Sequence, residues 1–162
     1  VSKLYEKDKK IFKKLKKILP NYFNSYTIDK KNVSDAILDN KNNLKKIIKI
    51  VHTEISKKMK LFLKRNRYKQ FVILDIPLLL ENRINNKNDI LVFVQSKKFN
   101  ILKRLRKRKN FNKDLIDRFR KVQLPLDYKK KKSQFVIKND FKKKTISKYV
   151  KNILKEIKKW KK

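Results

Sequence analysis

Glycine is absent from this sequence, where average usage of roughly 7% would place about eleven in 162 residues. No Gly-rich loop of the G-x-x-x-x-G-K-[ST] kind can therefore lie within these residues. Cysteine is absent too, which excludes disulfides and thiolate metal sites and is compatible with a reducing compartment. A single histidine, His52, leaves no room for a His/Cys zinc site and gives no support to a nucleophilic triad. No apolar run approaches the 18 or so residues of a membrane span, and the N-terminus has no signal-peptide pattern, so a cytoplasmic location without a membrane partner is expected. Alanine occurs once, at Ala36, and proline three times.

What fills the sequence instead is lysine. Lys+Arg number 50 against 14 Asp+Glu, giving a formal net charge of +36 and a pI near 10.4. Such a balance normally points to nucleic acid or an anionic surface. Here Lys, Asn, Ile and Phe are all high while Gly, Ala, Pro and Arg are low, the skew of an A/T-rich coding sequence. The charge is spread over nearly every segment rather than gathered in one stripe. No specific nucleic-acid partner is expected, although a basic nucleic-acid-binding or ribosome-associated protein is the competing reading, and a non-catalytic scaffold a further one.

Apolar spacing predicts the elements. Leu4, Ile11, Phe12, Leu15, Ile18 and Leu19 recur at helical intervals over residues 2–19, with Pro20 as the stop. Further helices are predicted near 31–38, 43–64, 97–108, 113–123 and 142–160, with Ser96 as a candidate N-cap. Three apolar, non-alternating runs, at 71–74, 90–94 and 135–137, predict strands buried on both faces. Strands alternating with helices imply a parallel α/β sheet.

The longest lysine-free run contains "FVILDIPLLLENR", residues 71–83. A buried parallel strand delivers its carboxyl end to the crevice where α/β proteins bind ligands. Asp75 is thus placed where a carboxylate can hold Mg²⁺ through water, with Glu81 six residues on; the plainer alternative is a turn cap. Arginine is the less expected cation in a lysine-rich background, yet five of the eight arginines fall between Arg104 and Arg120. On the predicted helix Arg104 and Arg108 share one face and could grip a polyphosphate with a fork geometry that lysine lacks.

The segment Asp75-Ile-Pro-Leu-Leu-Leu-Glu81 resembles the D-x-P-L-L-x-E segment of dephospho-coenzyme A kinases, and the likeness continues in order on both sides. Ile28-Asp29-Lys30 with Val33 and Ile37 is similar to the family's L-D-R segment. His52-Thr53 stands where the family has His-Pro, so Thr53 departs from it. "ILKRLRKR" aligns Arg104 and Arg108 with the family's arginines. "QLPLDYKKKKSQFVIKND" puts Gln123, Pro125, Lys129, Val136, Ile137 and Asn139 in register, with Ser133 and Gln134 in place of Ala-Asp.

The resemblance implies an α/β, three-layer P-loop kinase fold of the nucleoside-monophosphate-kinase type, with a parallel sheet, a helical acceptor-binding region at 10–66 and a lid at 97–133. Residues 1–162 would form a single kinase domain, N-terminally incomplete, because the family's phosphate loop belongs ahead of the part matched here. That loop's strand would lie between those at 71–74 and 90–94, so the 162 residues alone are expected to be inactive. The implied reaction moves the γ-phosphoryl of ATP, with Mg²⁺, to the ribose 3′-hydroxyl of dephospho-coenzyme A. Asp75 would be catalytic and hold the metal through water; Arg104, Arg108 and Asn139 would bind ATP; His52 and Glu81 would shape the acceptor site.

Overall fold

A computed structural model of the protein describes residues 8–26 and 28–160. Residues 2–7 of the first predicted helix, Leu4 included, lie outside the described residues. The chain divides into two compact units, one within Val1–Ile84 and Asn112–Gln123, the other within Asn85–Phe111 and Leu124–Lys162.

The first unit is helical. Asp8 opens α1 (Lys9–Ile18) by accepting from the N–H groups of Lys10 and Ile11 at 3.1 and 3.3 Å, which satisfies two donors that a helix start leaves free. Ile11 and Leu15, four apart, are wholly buried on its inner face. The helix ends at Leu19, and Pro20–Tyr22 follow as one 3₁₀ turn. Asp29 caps α2 (Lys30–Asp39), and Asn40 caps α3 (Lys41–Arg65). α2 contributes Val33, Ala36 and Ile37 to the core, and α3 contributes Leu44, Ile47, Ile50 and Val51. Between them the buried Asn43 amide donates to the Ala36 carbonyl at 2.9 Å, so the polar group enters the core with a partner. α5 (Lys113–Lys121), capped by Asn112, adds Leu115, and the following Val122 joins it against this core. The Arg118 guanidinium donates to the Ile37 carbonyl at 2.8 Å, tying α5 to the end of α2.

One ion pair is anchored inside the first unit. Glu54, 5% exposed, accepts from Lys14 Nζ at 2.7 Å and has Lys57 at 3.5 Å. The Lys14 bond holds its carboxyl below the ordinary value, against the opposing effect of burial. A depressed folded-state pKa means stability that is present above the ordinary value of 4.5 and lost as pH falls through the folded one. Lys14→Ala is therefore expected to lower stability by about 1–2 kcal/mol at pH 7, less than a fully buried pair because Lys14 is half in water. In urea melts the gap from wild type should close as the pH drops below the carboxylate range. Equal midpoints at pH 7 would show that the pair contributes nothing.

The second unit carries the sheet. β1 (Val92–Gln95) pairs in parallel with β2 (Phe135–Lys138), Val92 opposite Phe135 and Gln95 opposite Lys138. α4 (Lys98–Arg106) and α6 (Leu126–Lys131) lie between the strands in sequence, and α7 (Lys143–Lys159) follows them. Trp160, just past α7, stacks on Phe135 with ring centroids 5.3 Å apart. At the sheet's entry the Leu91 N–H donates to the Gln134 side-chain oxygen at 2.7 Å.

Several expectations are corrected. Residues 71–76 form an irregular segment, not a strand, and Ile73 is 86% exposed. β1 starts two residues later than expected, and Val92 and Val94 are exposed rather than buried on both faces. Strand status requires a partner and burial requires a covering layer; among the described residues β1 has one strand partner, β2. Ser96 is not the cap of α4: Lys97 holds that place, without a side-chain bond. α6 falls in a lysine-rich stretch where no helix was predicted, its first turn opened by Pro125 and Asp127.

With no glycine in the chain, left-handed backbone falls to Leu78, Arg83 and Phe141, at φ 56°, 50° and 65°. Each costs roughly 1–2 kcal/mol that a glycine would avoid.

Candidate functional site

A cleft of about 540 Å³ opens in the first unit. One wall is a single stripe of α3, where Lys45, Ile48, Lys49, His52, Thr53 and Ser56 follow helical spacing. The facing wall is the turn after Pro77, which supplies Leu78, Glu81, Asn82 and Ile84, and the end of α5 adds Lys121 and Val122. That turn is closed by the Asn82 N–H to the Leu78 carbonyl at 3.1 Å and by Ile84 N–H to Leu79 at 3.1 Å, and the Asn82 amide donates to Leu78 as well, at 2.8 Å. The bonds bend the chain tightly enough to require the left-handed Leu78.

His52 and Glu81, distant in sequence, thus line one cavity. His52 is 8% exposed, and its buried Nδ1 has no hydrogen-bond partner among the described residues. Burial pushes its pKa below the ordinary value, the Glu81 carboxylate pulling weakly the other way, so the ring is neutral at pH 7. A neutral ring on the cleft wall can donate or accept a hydrogen bond, while Lys45, Lys49 and Lys121 can meet a ligand's negative charge. Thr53, in place of the family's proline, keeps its backbone N–H and donates its hydroxyl to Lys49 at 2.8 Å, so α3 runs on without a kink.

Asp75 sits exposed at the end of the 71–76 segment in the same unit. It precedes Leu78 by three residues, a reach of at most about 11 Å. Among the described residues no group of three His, Asp or Glu side chains is placed to cage a metal ion.

The remaining candidates belong to the second unit. Arg104 lies on α4, but that helix ends at Arg106, and Arg108 falls in the turn beyond it, its N–H donating to Leu105 at 3.0 Å. The two arginines therefore do not lie on the one continuous helix that the spacing predicted. The Arg104 guanidinium instead covers the Phe141 ring, 4.6 Å from its centroid. Asn139 follows β2, its N–H donating to the Gln95 carbonyl at 2.7 Å and its side-chain oxygen accepting from Phe141 N–H at 2.8 Å. Spacing alone pointed to neither Phe141 nor the cleft lysines, because a lysine in this composition carries little information and an isolated phenylalanine even less.

The parallel sheet with helices between its strands makes the second unit α/β, and the first unit carries a cation-lined cleft suited to an anionic ligand. A family profile described as dephospho-CoA kinase matches residues 2–145, and the chain belongs to that family. It is 30% identical over 156 residues to the dephospho-CoA kinase of Wolbachia sp. subsp. Brugia malayi (strain TRS), covering 95% of this chain and 80% of the relative. The dephospho-CoA kinase of Wolbachia pipientis wMel is 29% identical with the same coverage. That of Bacillus thuringiensis subsp. konkukian is 31% identical over 117 residues, 70% of this chain and 58% of the relative. Family membership makes the protein a kinase using ATP, with a small molecule as its acceptor. Among the described residues no helix is long and apolar enough to cross a membrane.

Proposed function

We propose that the cleft on α3 is the acceptor site of a dephospho-coenzyme A kinase, and that residues 1–162 are the acceptor and lid parts of a three-layer P-loop kinase domain. The region 10–66 forms the acceptor side and 97–133 the lid. The observation that carries this reading is the meeting of His52 and Glu81 in one lysine-walled cleft of the size a nucleotide needs. Dephospho-coenzyme A is anionic and rich in N–H and O–H groups. Lys45, Lys49 and Lys121 would neutralise its diphosphate, His52 would exchange a hydrogen bond with a polar group of the molecule, and Glu81 would accept from a hydroxyl.

Asp75 is the residue suited to Mg²⁺, which keeps several waters and is held by one or two carboxylates together with substrate phosphates rather than by an all-protein cage. A lone exposed carboxylate fits that requirement. When bound, the ion offsets charge on the transferring phosphoryl group. Arg104 and Arg108 act separately on the donor side, and the loop at Asn139 lies beside its base.

Binding tests the acceptor site directly. His52→Ala and Glu81→Gln should each weaken dephospho-coenzyme A binding by about tenfold in calorimetric titration, the worth of one well-placed hydrogen bond, with ATP binding unchanged. Acceptor affinities within twofold of wild type in both variants would remove the cleft from the reaction.

A further inference from the structure

The turn from β2 into α7 holds an aromatic side chain in a place where packing does not call for one. Asn139 ties the turn to the end of β1 and accepts from the Phe141 N–H. Asp140 accepts from the Lys142 N–H and from the Thr145 hydroxyl, both at 2.9 Å. Together these bonds keep Phe141 at φ 65°, a region that penalises any residue with a β-carbon. The strain is not offset by full burial, since Phe141 stays 40% exposed. The Arg104 guanidinium lies over the ring at 4.6 Å, a planar cation suited to an aromatic face. A strained residue held by its neighbours on the carboxyl edge of a parallel sheet, where α/β proteins seat ligands, is placed for a ligand rather than for the core.

We propose that Phe141, backed by Arg104, is the platform on which the adenine of the phosphoryl donor stacks. The proposal rests on the reading of the Asn139 loop as the place beside the donor base, and adds the residue that makes the contact. The ring supplies an apolar face for the base, and the guanidinium behind it lends positive charge on the side of the triphosphate. Arg104 is then a positioning residue for Phe141 as well as a cation.

The left-handed backbone makes the test clean, because Phe141→Gly removes the ring while relieving the strain. The variant should melt at or above the wild-type temperature. Its Kd for ATP should rise about tenfold, its Kd for inorganic tripolyphosphate should stay the same, and Phe141→Trp should keep wild-type affinity for ATP. Measured in the chain fused behind a phosphate loop, an unchanged ATP Kd in Phe141→Gly, no ATP binding without that substitution, or an equal loss for tripolyphosphate would overturn the platform. A loss confined to dephospho-coenzyme A would overturn the assignment to the donor. Failure of the kinase reading itself shows separately, as the absence of phosphoryl transfer to dephospho-coenzyme A by the chain fused behind a Gly-rich phosphate loop.

Discussion

Assayed by itself with ATP, Mg²⁺ and dephospho-coenzyme A, the 162-residue chain is expected to transfer no measurable phosphate, and fusion behind a strand, Gly-rich phosphate loop and helix of the same family should raise transfer by at least about a thousandfold. Phosphoryl transfer leaves a protein little covalent chemistry to perform, so positioning and charge stabilisation are nearly the whole of catalysis. The backbone N–H groups that cradle β- and γ-phosphates come from a loop in which glycine lets the chain approach the anion. A sequence with no glycine has no such loop, and forty or more lysines do not replace it, since a flexible ammonium is a point charge without fixed direction.

The same fusion should be visible in folding. The first unit has its own core, from Ile11 to Val51, whereas among the described residues Ile137 is the buried hydrophobic residue of the second. A strand added alongside β1 would pair its free backbone edge and give the sheet a third member. Backbone amides of β1 should then exchange more slowly, while those of α1 and α3 change little. Measurable transfer by the unextended chain would show that the phosphate cradle lies elsewhere in these residues.

The parts of the fold that could be read beforehand were those decided locally. α2 and α3 follow from helical apolar spacing, and their observed ends lie within two residues of expectation, although the caps Asp29 and Asn40 were seen only in the structure. The strand expected at 71–74 depended on something local pattern does not contain, a neighbouring strand to receive its backbone groups. For the same reason β1 kept its place but not its burial. Arg104 and Arg108 show the limit of periodicity: four-residue spacing puts side chains together only while the helix lasts, and this one stops at Arg106. The meeting of His52 with Glu81 was legible only through family resemblance, because it depends on the fold of the turn after Pro77. Phe141 was not legible at all; its role emerges from a backbone angle and a stacked cation.

Asp75→Asn, made in the chain carrying a phosphate loop, should cut kcat for dephospho-coenzyme A phosphorylation by roughly a hundred- to a thousandfold while leaving the acceptor Kd within about twofold. Asp75 stands exposed at the end of an irregular segment, so the amide fits its place without disturbing a core. What the change removes is a full negative charge. A hydrated divalent ion between donor phosphates and protein is held by such a charge, and a neutral amide oxygen binds it far less strongly. The effect should therefore fall on kcat and on the Mg²⁺ concentration needed for half-maximal rate, not on binding in the cleft, whose lining includes Leu78 but not Asp75. Raising Mg²⁺ should recover part of the lost rate in Asp75→Asn, as it would not if the residue were merely a turn cap. A kcat within threefold of wild type, with the same Mg²⁺ dependence, would return Asp75 to that structural role and leave the metal to the donor phosphates and water alone.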